Sequence, residues 1–431
     1  MVSFPAYPKR YFTSNPLTIH KTYHDILVDK HFPKQVQFGF NSKLILEPST
    51  IGKAIKHLPK PDVFYKKLSA PTHNSVFLGD GLLTANSNSA KKQRKSFEKK
   101  FTKLMLSEFE PFMFREANSI IDQLENYSYV DVKQFSNNVT MNIVGKTLLG
   151  DIFDSETRCS IINNTTFISE EAVRHINPLY SIFTHNPLYN YHMVNKTMYI
   201  RNTISDVIDG HSSTSSNINL LDTIIYSSKN KQHAIDNILT FFLAGYDTTA
   251  SALAIGIQLL YNKNNRFIIN NIKDEIASGI PVNDIVSLDY FVKELLRLYP
   301  PSGGGIMRQF SSQYSHLFPD EQWNDNLLLI FPIYSIHRNP EFWVYPDKFM
   351  PERWLNIKES DVNNVYLPFS LGSRNCIGKF FALLELKIIL YTLILRLNIA
   401  SVSHEINTIC TPVMQNSCNI QMYVEKNHIK R

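Results

Sequence analysis

Apolar residues recur at helical spacing over long stretches of this chain and alternate only in short ones. The longest helical pattern covers residues 233–261, followed by shorter ones at 267–277 and 285–298, with apolar residues three and four apart forming one face. Another runs through Phe380-Phe381-Ala382-Leu383-Leu384-Glu385-Leu386 to about residue 397. Nearer the start, residues 19–28 read as a short helix, and Pro48-Ser49-Thr50 opens one that carries Ile51, Ala54 and Ile55. Residues 90–106 place Phe97, Phe101 and Leu104 on one helix face, and helical patterns continue across 107–175, including 141–149. Alternation of Val36, Phe38 and Phe40 with Leu44 and Leu46 predicts a hairpin over 34–46 that turns at Asn41-Ser42. Strand-like alternation returns at 302–333 and at 396–424. Residues 60–90 read as a long irregular loop, of the kind that inside a compact domain is either functional or disordered. Residues 176–217, rich in Asn, Ser, Tyr and His, show no period. The predicted fold is mainly α with small β-sheets.

The chain has 431 residues, and no Pro/Gly/Ser-rich linker or internal repeat divides it. One large domain over 1–431 is expected, with a β-rich part at 1–60, a helical part at 90–300 and a C-terminal part at 301–431. Hydrophobic residues at 43% and aromatic residues at 12% supply a sizeable core. A net charge of +6, from 44 basic and 38 acidic residues, is too mild to point to nucleic acid. The cysteines Cys159, Cys376, Cys410 and Cys418 have no paired spacing, which fits a reducing compartment. No run of about 18 apolar residues reads as a membrane span; residues 383–400 come nearest, interrupted by Glu385, Lys387 and Arg396. Residues 1–12, with Pro5, Pro8, Lys9 and Arg10, offer no signal-peptide core.

Against this background the stretch Pro368-Phe369-Ser370-Leu371-Gly372-Ser373-Arg374-Asn375-Cys376-Ile377-Gly378 stands out. A thiolate serves as metal ligand or nucleophile when its charge is stabilised, and here backbone N–H groups freed by Gly372 and Gly378 and the start of the following helix can do so. A second signal is Phe242-Leu243-Ala244-Gly245-Tyr246-Asp247-Thr248-Thr249, inside the long helix. Glycine and adjacent threonines lower helix propensity there, which marks a position where function overrides local preference. Small residues at Ala244 and Gly245 let a flat cofactor or O2 approach the backbone, and Asp247 and Thr248 can relay protons. Glu294-Leu295-Leu296-Arg297 puts an acid and a base on one helix face, ahead of Phe349-Met350-Pro351-Glu352-Arg353-Trp354 and His337-Arg338-Asn339-Pro340.

The frame Phe-x-x-Gly-x-Arg-x-Cys-x-Gly at 369–378, with the 242–249 segment and Glu-x-x-Arg before it in this order, resembles the cytochrome P-450 family, and its texture that of fungal microsomal members. The resemblance covers residues 235–385, and Gly79-Asp80-Gly81-Leu82-Leu83-Thr84 extends it thinly. It implies a single cytochrome P-450 domain and haem b, with Cys376 as the iron ligand. Phe369, Gly372, Arg374 and Gly378 would shape its loop, and Arg308 and Arg94 would bind its propionates. Asp247 and Thr248 would deliver protons to dioxygen, and Glu294, Arg297 and Arg353 would form a structural network. The implied activity is a monooxygenase acting on a small apolar substrate with O2. Its electrons would come from NADPH through a separate flavoprotein reductase, since the chain has no Gly-x-Gly-x-x-Gly of its own. Lys91, Lys92, Lys95 and Lys99 would meet that partner.

The implied location is the cytosolic face of the endoplasmic reticulum membrane with peripheral contact, or the cytoplasm if no anchor exists. Departures from the family pattern are Ala90 in place of a tryptophan before Arg94, Gly303-Gly304-Gly305 in place of bulkier residues, and a shorter N-terminus and middle. They leave two alternatives: a truncated or decayed haem-binding protein without turnover, and a redox-neutral isomerase or dehydratase. Substrate choice would lie with the pocket loops expected at 60–90, 165–200, 301–306 and 411–416.

Overall fold

In the computed structural model, residues 18–37, 41–61, 78–124, 128–150, 153, 161, 164–165, 187–211, 220–402, 405–410 and 413–424 are described. Helix α1 (Ile19–Asp29) buries Tyr23, Ile26 and Leu27 and is followed by strands β1 (Gln35–Gln37) and β2 (Ser42–Ile45). These form the antiparallel pair expected from the alternation, with Val36 opposite Leu44. The ladder ends at Gln37 opposite Lys43, and Ser42 pairs instead with Leu328 of β5; Phe38 and Phe40 lie outside the described residues. Helix α2 (Pro48–His57) starts with proline at its first turn, where the missing N–H costs nothing. Among the described residues of this stretch, helices of 11 and 10 residues stand beside strands of 3 and 4. β1 and β2 pair with each other, and the rest of their sheet comes from far along the chain.

The expected helix over 90–106 is two elements. Helix α3 (Ser87–Phe97) begins earlier, because Asn86 accepts a hydrogen bond from Ser89 N at 3.0 Å and caps it. A 3-10 turn over Glu98–Phe101 and an extended Thr102 separate it from α4 (Lys103–Leu124). The polar run Asn86-Ser87-Asn88-Ser89, read as loop, is therefore a helix start. Strand β3 (Tyr129–Asp131) and α5 (Val132–Leu149) follow, the latter capped by Asp131. In the unreadable 176–217 stretch the structure has α6 (Pro187–Gly210), then α7 (Leu221–Ser227).

Helix α8 (Lys231–Leu260) is the axis of the molecule, capped by Asn230 through His233 N at 2.9 Å. It is buried all round over 233–242 and 249–260, and between them only Tyr246 is. A helix apolar on every side is a core helix. It is also, among the described residues, one helix long and apolar enough to cross a membrane. Helices α9 (Arg266–Ala277) and α10 (Val286–Leu298) match the sequence reading, as does α11 (Lys379–Arg396) after the Cys376 loop.

Three small sheets complete the architecture. Strands β4 (Ile306–Gln309) and β5 (Leu328–Phe331) form the second hairpin, and β5 runs parallel to β2, giving the order β1-β2-β5-β4. At the C-terminus β9 (Gln421–Val424) pairs with β3 on one side and β6 (Ile399–Val402) on the other, while β7 (Thr408–Cys410) pairs with β8 (Met414–Asn416).

Candidate functional site

The Cys376 loop leaves Leu367 and returns on itself through a hydrogen bond from Cys376 N to Phe369 O at 2.9 Å. Ser370 and Gly372 take positive φ, 60° and 71°. Glycine at 372 serves the turn and close packing together, since a Cβ there would lie 2.8 Å from Lys56 Cα of α2. Gly378 is the N-cap position of α11, and its backbone N–H points to the Cys376 sulfur. Burial pushes the Cys376 thiol up, while that N–H, Arg94 and Lys379 pull the other way. The resting group is therefore a neutral thiol, and a coordinating cation would convert it to thiolate. The expected stabilisation by Gly378 and the helix start is present in direction; Gly372 instead seats the loop on α2.

Two arginines hold the loop. Arg94 donates to Asn375 O at 2.7 Å and to Asn375 Oδ1 at 2.6 Å, and Arg374 donates to Leu82 O at 3.2 Å and Ala85 O at 2.7 Å. Cys376, Phe369, Arg374, Gly378 and Arg94 all line one cavity of about 380 Å³, within the size range of ligand and cofactor pockets. Its opposite wall is the open stretch of α8: Ala244, Gly245, Thr248 and Thr249, with Thr240 and Ala252 beyond. Leu82, Leu83, Val144, Leu148, Phe241 and Ile306 make the rest apolar. Pro301 and Ser302 also reach it; most of 60–90 and 165–200 that were expected to line the pocket lies outside the described residues.

Lys60, at the start of the 60–90 stretch expected at the pocket, carries a charge that local pattern did not explain. It lines the cavity, donates to Leu83 O at 3.1 Å, and has its ammonium brought down to about 7 by burial and by the charges of Arg374 and Arg308. Arg308 is 2% exposed and stands behind the wall, donating to Ile55 O at 3.2 Å and Met307 O at 2.8 Å. An apolar slot with one thiol and several cations acting on one another fits a flat apolar macrocycle with acidic substituents, whose charge would relieve that repulsion. Among the described residues no group of three or more His, Cys, Asp or Glu could hold a metal ion. Iron at Cys376 would therefore arrive in a macrocycle that supplies its other ligands, and the residues present fit haem.

On α8, Thr248 Oγ1 donates to Ala244 O at 2.7 Å and Thr249 Oγ1 to Gly245 O at 2.9 Å. Asp247 is off this wall; it lines a separate small pocket of about 20 Å³ where Lys133, Asn137, Ser251 and Asn416 meet Ala250, Ala254 and Ile420. The pair read together in sequence thus faces two spaces, because neighbours on a helix point 100° apart. Gly245 also has a packing reason: a Cβ would come within 3.1 Å of Val144 on α5.

Glu294 stands at the centre of the network expected with Arg297 and Arg353. Its carboxylate, with no exposure, accepts from Arg297 Nη2 at 2.9 Å and Nε at 3.0 Å, Arg353 Nε at 2.9 Å, Trp354 Nε1 at 3.2 Å and Met350 N at 2.9 Å. His337 links this network to the loop: Leu367 N donates to His337 Nε2 at 2.8 Å, so Nδ1 carries the proton and donates to Arg297 O at 2.9 Å. Burial takes His337 down to about 3, which keeps it neutral. Ala90, where a tryptophan was expected, is 1% exposed and lines the cavity. Lys91, Lys92, Lys95 and Lys99 are exposed.

Residues 20–423 match the family model described as cytochrome P-450. A probable cytochrome P-450 525A1 of Dictyostelium discoideum is 28% identical over 63% of this chain and 51% of its own length. A probable cytochrome P-450 4p3 of Drosophila melanogaster is 26% identical over 74% of this chain and 69% of its own. The cytokinin hydroxylase of Arabidopsis thaliana is 27% identical over 75% and 67%. The chain thus spans about half the length of the first of these. Relatives from a slime mould, an insect and a plant give no support to the expected fungal affinity.

Proposed function

The chain belongs to the cytochrome P-450 family, and from that premise we propose that it is a haem-thiolate monooxygenase. It would insert one oxygen atom of O2 into a small apolar substrate, with electrons drawn from NADPH through a separate flavoprotein reductase. The observation that carries this reading is Cys376, opening beside Arg94 and Arg374 onto an otherwise apolar cavity roofed by Thr248 and Thr249.

Haem, when bound, supplies the redox chemistry that activates dioxygen, and a thiolate ligand favours O–O cleavage. Cys376 would hold it, with Phe369, Gly372 and Gly378 keeping the loop in shape. Arg94, Arg374 and Lys60 would face its acid groups, and Arg308 adds charge from behind the wall. The wall residues Leu82, Leu83, Val144 and Phe241 exclude water and favour an apolar substrate. Thr248 Oγ1, on the wall, holds a proton that can turn from Ala244 O into the cavity. Asp247 would replenish it from the small pocket on the other side of α8. Glu294, Arg297 and Arg353 support the loop through His337. The exposed Lys91, Lys92, Lys95 and Lys99 suit an acidic reductase surface, and the place of action on this reading is the cytosolic face of the endoplasmic reticulum membrane.

The test is the absorption spectrum of the reduced protein under carbon monoxide, beside Cys376→Ala. A strongly red-shifted Soret band, lost in the variant, is the expected result. A protein that takes up no haem, or one with the band of a histidine-ligated globin, would overturn the reading.

A further inference from the structure

Residues 79–85 run beside the cavity as a strap fastened on two sides. On one side its backbone N–H groups reach α8: Asp80 N donates to Asp236 Oδ2 at 2.9 Å and Leu82 N to Asn237 Oδ1 at 3.0 Å. Glycines let the strap lie flush there. A Cβ at Gly79, which takes φ of 51°, would overlap the Asp236 carboxylate, and one at Gly81 would lie 2.6 Å from Asp236 O. On the other side its carbonyls receive two cations of the cavity wall: Arg374 donates to Leu82 O and Ala85 O, and Lys60 to Leu83 O. Leu82 thus spans from α8 through its N–H to the Cys376 loop through its C=O. Asp236 is buried, and its other oxygen, Oδ1, pairs with Arg201 of α6. One carboxylate therefore serves α6 and the strap together.

We propose that Asp236 is a positioning residue for the cofactor pocket: fixed by Arg201, it holds the strap on α8, and the strap's carbonyls hold Arg374 and Lys60 side by side at the cavity wall. This rests on the haem reading, in which those two cations would face the acid groups of the macrocycle. Asp236 itself does not line the cavity; it acts through the strap. A buried carboxylate and guanidinium keep each other in place, because either would be left as an uncompensated charge if the other moved away. A hydrogen bond to such a charged acceptor is stronger than one to a neutral amide, so Asp80 N is a firmer attachment than Leu82 N. Gln93 of α3 donates to Asp80 O at 3.0 Å, and Lys229 pairs with the Asp80 side chain at 3.2 Å on the exposed side. Both grip Asp80, the residue that Asp236 fixes from within. Arg374 and Lys60 repel each other, and the carbonyls of Leu82, Leu83 and Ala85 offset that repulsion only while the strap is held.

Amide hydrogen exchange of the purified full chain tests the coupling first. Asp236→Ala should speed exchange over 79–85 by at least about tenfold, the low end for losing a hydrogen bond to a charged group, with the buried amides of α11 unchanged. Arg201→Met leaves the carboxylate and Asp80 in place, yet should speed the same amides severalfold. Exchange at 79–85 that ignores Arg201→Met, or that rises only together with α11, overturns the proposal. Haem loss is then followed by transfer to apomyoglobin. Asp236→Ala and Lys60→Met should each release haem severalfold faster than wild type. Because Asp236 acts partly through Lys60, the double variant should fall short of the product of the two effects. A wild-type rate in Asp236→Ala, or fully multiplicative effects, overturns the proposal. Should Asp236→Ala not fold, Arg201→Met takes its place in both measurements. A wild type that takes up no haem removes the monooxygenase reading and the cofactor role of Asp236 with it. The exchange result survives that failure, which tells it apart from the others.

Discussion

Replacing Glu294 by glutamine removes one charge and almost no volume, and the surrounding geometry fixes what that costs. Oε1 accepts from Arg297 Nη2, Arg353 Nε and Met350 N, and Oε2 from Arg297 Nε and Trp354 Nε1. An amide has one oxygen; turned either way, its NH2 meets at least two N–H donors. Each buried donor left without an acceptor costs about 1–3 kcal/mol. Arg297 keeps His337 O and Pro346 O at 2.7 Å, so part of its need is still met. The expected loss is about 3–5 kcal/mol, the range for a buried pair broken from one side. The chain's three tryptophans, Trp323, Trp343 and Trp354, sit in one hydrophobic cluster here, so their fluorescence during urea unfolding reads this region directly. A loss below about 1 kcal/mol, the level of an exposed ion pair, would refute the reasoning.

Gly372→Ala should lower haem occupancy of the purified protein, because φ at 71° and a Cβ 2.8 Å from Lys56 Cα force the loop off α2; full haem content would count against that account. Asn86→Ala should destabilise by about 1 kcal/mol through loss of the cap on Ser89 N, measured by denaturant midpoint, and an unchanged midpoint would mean that the cap is dispensable. Asp289 is held below its usual pKa; burial pulls it up, but hydrogen bonds and charge from Lys387 at 2.7 Å and Lys293 at 2.9 Å outweigh that. A depressed folded pKa adds stability that is present above the unfolded value of about 3.9 and lost as pH falls through the folded one. Asp289→Asn should therefore be less stable than wild type at neutral pH, with the gap closing on acidification; a gap independent of pH would contradict the assignment.

Local sequence determined the long helices and the loop chemistry. The pattern of 285–298 survives in α10 because that helix buries a face set by its own residues, and that of 233–261 in α8 because its residues suit burial on nearly every side. The frame around Cys376 was legible because a tight turn needs glycine at a fixed place, and Gly372 occupies it. What neighbours do in space was not legible. β2 pairs with β5 from far along the chain, and three-residue β3 exists only because β9 lies beside it. Asn86 looks like loop until its side chain is seen capping α3. Asp247 and Thr248 are adjacent in sequence yet open on different pockets, since the packing of α8 decides which face meets the cavity. Lys60 falls in a stretch expected at the pocket and Glu385 in a core-helix pattern, but the sequence does not show what surrounds either. Only the tertiary structure surrounds Lys60 with the charges of Arg374 and Arg308 and closes Glu385 away from water, and burial and neighbouring charge, not residue type, set the protonation each can carry.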